Sequence, residues 1–68
     1  MVAGRSELLK EALRSRHNEP FEKALSRAVR RSGGSFAEYI AIIAEVRDYG
    51  RTHDLDLRAA ARALADQS

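Results

Sequence analysis

The most apolar part of the chain reads SFAEYIAIIAEVRDYG and covers residues 35–50. A serine followed three residues later by a glutamate, here Ser35 and Glu38, is the capping box that begins many helices. At 100° per residue, the apolar side chains that follow cover roughly two thirds of the helix circumference, whereas a surface helix needs a stripe of only about 100°. We therefore predict a helix over residues 36–49, ended by Gly50, and expect it to be buried centrally or shared between two subunits.

The preceding sequence predicts two further helices, because its apolar residues recur at helical spacings. Ser6 is the expected N-cap of the first helix. Pro20 fits the first turn of the second, and the Gly33-Gly34 pair ends it. The boundaries predicted for these two helices are residues 6–16 and 19–31.

A fourth helix is predicted over residues 55–65, where the apolar stripe is narrow and rich in alanine. Asp54 or Asp56 can cap its N-terminus, since aspartate oxygens accept hydrogen bonds from the free amides there. No segment alternates between apolar and polar residues as a strand does. The predicted fold class is all-α, a small bundle of three to four short helices in a single domain, residues 1–68.

The short length of the chain raises the question of how it is stabilised. It has 68 residues, and 12 of its 30 apolar residues are alanine. A chain of this size buries only about 60% of its unfolded surface and usually needs a disulfide, a metal or a partner. The sequence has no cysteine, which excludes disulfides and cysteine-based zinc sites. We therefore expect a homodimer, or a complex with a helical protein, in which the third helix contributes to a shared core.

The third helix supplies the candidate oligomer interface. Its members are Phe36, Tyr39, Ile40, Ile43, Val46 and Arg47. By helical angle Arg47 projects into the apolar arc, where it either extends its charge to water or pairs with Asp48 or Glu45 of a partner. The function favoured by this pattern is a small helical self-associating interaction or adaptor module.

Charge is divided unevenly along the chain. Residues 1–34 carry eight basic and four acidic side chains, whereas residues 35–68 carry four basic and six acidic ones. On the second helix, four cations fall within about 100° of one another, beside the apolar stripe. They are Lys23, Arg27, Arg30 and Arg31. This basic ridge is either a solvated helix face or a nucleic-acid contact, and the alternative function is a small dimeric DNA- or RNA-binding regulator.

Known DNA-reading motifs do not fit the chain. If Gly33 is aligned with the turn glycine of a helix-turn-helix, Phe36 and Ile40 occupy base-reading positions. Neither side chain carries the hydrogen-bonding groups that readout in the major groove needs. We therefore expect DNA or RNA binding, if present, to depend on clustered charge.

The sequence gives no support for catalysis, a cofactor or a metal. His17 and His53 lie far apart without a ligand pattern, and no serine or acid has the orienting partners of a catalytic group. The most apolar stretch is shorter than the roughly 20 residues that a membrane span needs, and the N-terminus lacks the apolar core of a signal peptide. We expect a cytoplasmic protein that is not an enzyme and does not enter a membrane.

Overall fold

The computed structural model of the protein describes residues 4–14 and 19–67. These residues form four α-helices and no strand, which confirms the all-α class. The helices are α1 (Arg5–Leu13), α2 (Phe21–Arg31), α3 (Phe36–His53) and α4 (Leu57–Gln67). Each helix packs against its neighbours in sequence, and α4 also packs against α1, so the helices surround one core in chain order. The radius of gyration is 10.8 Å, close to the roughly 11 Å expected of a folded chain of this length.

The core takes side chains from all four helices and is rich in alanine. Its buried members are Leu8, Leu9, Ala12, Phe21, Ala24, Leu25, Ala28, Val29, Ile43, Val46, Ala60, Ala61, Leu64 and Ala65. Six of these residues are alanine, which allows the helices to approach closely but removes little apolar area from water. Within the described ranges, every buried side-chain nitrogen or oxygen has a hydrogen-bond partner.

All four helix starts lie within two residues of the predicted positions. Pro20 is the N-cap of α2. The capping box places α3 as predicted, with the Ser35 hydroxyl accepting a hydrogen bond from the Glu38 amide at 3.3 Å. Asp56 caps α4, because its carboxylate accepts a hydrogen bond from the Ala59 amide at 2.8 Å.

The predicted N-cap of the first helix is wrong, although α1 begins at Arg5, one residue before the predicted start. Gly4, not Ser6, is the N-cap of α1, and no side chain caps this end of the helix. Ser6 lies inside the first turn, where its hydroxyl donates to the carbonyl oxygen of Ala65 at 3.3 Å. The serine therefore ties α1 to the end of α4. The helix ends at Leu13, and the predicted joint over residues 17–19 lies mostly outside the described residues.

The predicted end of the third helix is also wrong, because α3 runs through Gly50 to His53. A Cβ atom at Gly50 would lie 2.7 Å from the carbonyl oxygen of Leu55 and 3.4 Å from the Cβ of Ala60. Glycine is needed at this position because the chain that leads into α4 passes close to it. The C-cap of the helix is instead Asp54, which adopts the left-handed conformation with φ 56°.

Candidate functional site

The apolar residues of α3 divide between two faces of the helix. On the inner face, Ile43 and Val46 are 3% and 0% exposed. On the outer face, Phe36 is 73% and Ile40 is 46% exposed, while Tyr39 is half-buried and packs against the core. The predicted interface therefore needs a correction: Ile43 and Val46 lie in the core of the single chain and have no surface to offer a partner.

Small residues extend the apolar surface around Phe36 and Ile40. Ala37, Ala41 and Ala44 are all exposed on the same side of α3. Because helical residues three and four apart are neighbours, these five side chains form one continuous surface, which we call the outer apolar face. The ring of Phe36 also contacts that of Tyr39, with centroids 5.8 Å apart.

The charged side chains of α3 that border this face are matched inside the chain. Arg47 donates to the carboxylate of Glu22 on α2 at 2.7 Å. Glu45 accepts two hydrogen bonds from Arg5 at 2.6 Å, and Asp48 pairs with Arg51. Arg47 thus contacts Glu22 of its own chain while its side chain remains 59% exposed, and the alternative pairing with a partner's Asp48 or Glu45 stays a prediction.

The basic ridge of α2 is exposed, as its position beside the apolar stripe predicts. Arg27 forms an ion pair with Glu19 at 2.8 Å. Arg31 approaches Glu11 of α1 at 3.7 Å. Among the described residues, Lys23 and Arg30 have no acidic partner within 4.0 Å. The structure thus brings all four cations to one surface and leaves two of them without a carboxylate.

Sequence reasoning missed the contribution of α1 to this surface. A cleft of about 260 Å³ lies between α1 and α2 and is lined by three arginines, Arg14, Arg27 and Arg31, together with Glu11. The Glu11 carboxylate accepts a hydrogen bond from Arg14 at 3.4 Å. The helical pattern of α1 shows which of its sides is apolar but not which neighbouring helix its polar side faces, so no sequence signal identifies Arg14.

A second cleft, of about 550 Å³, lies beside the first at the start of α2. Lys23, Arg27 and Arg30 line it together with Glu19. The hydrogen bond from Arg27 lowers the pKa of Glu19 below its ordinary value and raises the pKa of Arg27. The carbonyl oxygen of Glu19 also accepts a hydrogen bond from Arg58 of α4 at 2.7 Å. Glu19 is thus held by two arginines from different helices.

No protein-family model matches the chain, and neither a curated protein nor a solved structure matches it. None of the four described helices is long and apolar enough to cross a membrane. Over residues 4–14 and 19–67, no three histidine, aspartate or glutamate side chains are grouped so that they could hold a metal ion.

Proposed function

We propose that the protein is a small self-associating interaction module whose outer apolar face binds a second copy of the same chain. The observation that carries this proposal is the exposure of Phe36 and Ile40, at 73% and 46%. They lie one helical turn apart in a molecule whose core is nearly half alanine. Contiguous apolar surface of this kind marks sites of protein contact.

The order of residue sizes along α3 favours a second copy as the partner. Phe36, Ile40 and Ala44 follow one another at intervals of four residues and form one row along the helix. When two such rows meet in antiparallel directions about a two-fold axis at Ile40, each Phe36 lies opposite an Ala44. A two-fold interface must be self-complementary, and large residues opposite small ones fill such an interface without voids.

The charges around the face are compatible with this arrangement. Arg47 and Asp48 already have partners in their own chain, Glu22 and Arg51. Two copies can therefore approach without bringing unpaired like charges together, which would oppose association. The charged side chains beside the outer apolar face therefore do not favour a particular partner, and they do not repel a second copy of the chain.

The area available predicts a weak dimer. An aromatic side chain buries 150–250 Å², so covering the exposed part of Phe36 contributes about 3 kcal/mol per copy at ~25 cal/mol per Å². The two Phe36 and two Ile40 side chains together contribute about 10 kcal/mol, which exceeds the lower end of the association cost, about 4–15 kcal/mol, by only several kcal/mol. We therefore expect a reversible dimer with a Kd on the order of 10 μM to 1 mM, formed from monomers that are already folded.

Sedimentation equilibrium of the pure protein up to about 1 mM, the upper end of that affinity range, tests the proposal. We expect a monomer–dimer equilibrium, with Phe36→Ser and Ile40→Ser each raising the Kd at least about tenfold, or 1.4 kcal/mol. Leu55→Ser is the matched control, because Leu55 is also apolar and 40% exposed but lies outside the outer apolar face. A wild-type protein that stays monomeric, including one that binds only a different helical protein, would contradict the proposal.

A further inference from the structure

We infer that the exposed cations of α2 and of the C-cap of α1 form a binding surface for the phosphate backbone of a nucleic acid, independent of base sequence. We call this surface the phosphate-binding strip. It consists of Arg14, Lys23, Arg27, Arg30 and Arg31. The inference goes beyond self-association, because it concerns different helices and a different class of partner.

The two clefts make the strip continuous. Arg27 lines both of them, so the arginines between α1 and α2 adjoin the cations at the start of α2. From Lys23 to Arg31 the helix rises about 12 Å, at 1.5 Å per residue. One strand of duplex DNA has a phosphate every ~3.4 Å along the axis, so the α2 part of the strip matches three to four phosphates.

Positive charge is concentrated on the strip. Its five cations lie against two carboxylates, Glu11 and Glu19, which gives the surface a net charge of +3. The whole chain has a formal charge of only +2, so the remainder of the molecule is slightly negative. A polyanion would therefore be attracted to this side of the protein in preference to the others.

Glu11 occupies a position where a phosphate group would fit. Its two oxygens lie 3.4 Å from Arg14 and 3.7 Å from Arg31, which is longer than the roughly 2.7–2.9 Å of a strong charge-assisted hydrogen bond. The carboxylate thus orients both guanidinium groups without satisfying them closely. A phosphate of the nucleic acid can take up the same donors at shorter distances.

The strip lacks the features that read base sequence. Its members are arginines and a lysine on an exposed helix surface, beside Ser26 and Pro20. Contacts from such side chains to phosphates fix the position of the nucleic acid but carry no sequence information. We therefore expect similar affinity for duplexes of different sequence and a strong dependence on salt.

Fluorescence anisotropy with a labelled 20-base-pair DNA duplex tests the inference. In 25–150 mM NaCl we expect the log of the binding constant to fall with log salt at a slope of about −3 to −4, at about −0.9 per phosphate contacted. The double variant Arg30→Gln/Arg31→Gln should bind at least about tenfold more weakly, with a slope reduced by about 2. Among the described residues Arg30 has no acidic partner within 4.0 Å, and Arg31 lies 3.7 Å from Glu11 in an exposed pair that contributes little to stability, so the fold should be retained.

The control removes the same charge from other helices. Arg51 on α3 and Arg62 on α4 line neither of the two clefts. Arg51→Gln/Arg62→Gln should therefore change the affinity for the duplex less than about twofold, through net charge alone. Glu11→Gln should tighten binding about threefold or more, because it frees two arginines for phosphate.

Several results would overturn the inference. The first is that the duplex does not bind at 25 mM NaCl. The second is that the two double variants lose the same affinity for the duplex, and the third is that the protein binds anionic phosphatidylglycerol vesicles but not the duplex. Repeating the titration with Ile40→Ser separates this inference from self-association, because a monomeric variant should still bind the duplex through its own strip.

Discussion

The inner and outer faces of α3 carry similar side chains in different surroundings. Ile43 on the inner face packs into the core, whereas Ile40, one turn earlier, remains nearly half exposed together with Phe36. The neighbours of α3, namely α2 and α4, cover only one side of a helix that is apolar around most of its circumference. Apolar composition therefore identifies α3 as an important helix, but it does not separate the residues that build the fold from those available to a partner.

The largest effect should come from placing a charge on either face. Ile43→Asp puts a carboxylate into the core, where no buried polar or charged residue is present among the described residues, and should cost about 4 kcal/mol or more. For a domain whose total stability is about 5 kcal/mol, this variant keeps about 1 kcal/mol or less, so circular dichroism should show a much lower Tm or an unfolded chain. Ile40→Asp should stay folded, with stability within about 1 kcal/mol of the wild type, and should lose self-association.

If Ile43→Asp and Ile40→Asp behave alike, the proposed difference between the inner and outer faces of α3 is wrong. Both replace an isoleucine of the same helix, so differences in helix propensity and charge cancel. Two equally unfolded variants would show that Ile40 belongs to the core. Two folded and dimeric variants would show that neither residue has its assigned role.

A smaller effect is expected at the end of the inner face, at Gly50. Alanine favours a helix over glycine by about 0.5–1 kcal/mol, but its Cβ would lie 2.7 Å from the carbonyl oxygen of Leu55. We expect Gly50→Ala to destabilise the protein by about 1–3 kcal/mol, because backbone atoms move less readily than side chains. Thermal unfolding should show a lower Tm. Gly4→Ala is the control, since no atom lies within 4 Å of its added Cβ, and an unchanged Tm for Gly50→Ala would exclude the close contact.

Gly50 also illustrates what the sequence can predict. The capping box at Ser35 places the start of α3 correctly because all of its atoms lie within four consecutive residues. The role of Gly50 depends on Leu55 and Ala60, which approach it only after the chain has turned back. From the sequence alone, a glycine that permits this close packing cannot be distinguished from a glycine that ends a helix.

In the candidate sites, too, features formed within one helix are predictable from the sequence, whereas contacts between helices are not. The ridge of α2 is predictable because its four cations belong to one helix. The contributions of Glu11 and Arg14 depend on how α1 rotates against α2, which the apolar pattern alone does not fix. Likewise, the helical angle of Arg47 predicts that it projects into the apolar arc, but its partner Glu22 belongs to a different helix.

The smallest effect should come from the charges that border the outer apolar face. Glu22→Gln removes the partner of Arg47 in an ion pair whose two side chains are about half exposed, so the free energy of unfolding should change by less than about 1 kcal/mol. Self-association should weaken about two- to threefold, because each copy then brings an unpaired cation to the interface. Glu7→Gln, which removes an equal charge from an exposed position on α1, should leave the Kd unchanged.

Salt dependence shows whether the effect of Glu22→Gln is electrostatic. The Debye length falls from about 10 Å at 0.1 M salt to about 3 Å at 1 M, so added NaCl should return the Kd of the variant to the wild-type value. Sedimentation equilibrium at both salt concentrations measures this. If the Kd of Glu22→Gln is still raised at 1 M NaCl, Glu22 supports the outer apolar face by packing and not by charge. In that case the paired charges beside the face do not explain why two copies can approach each other.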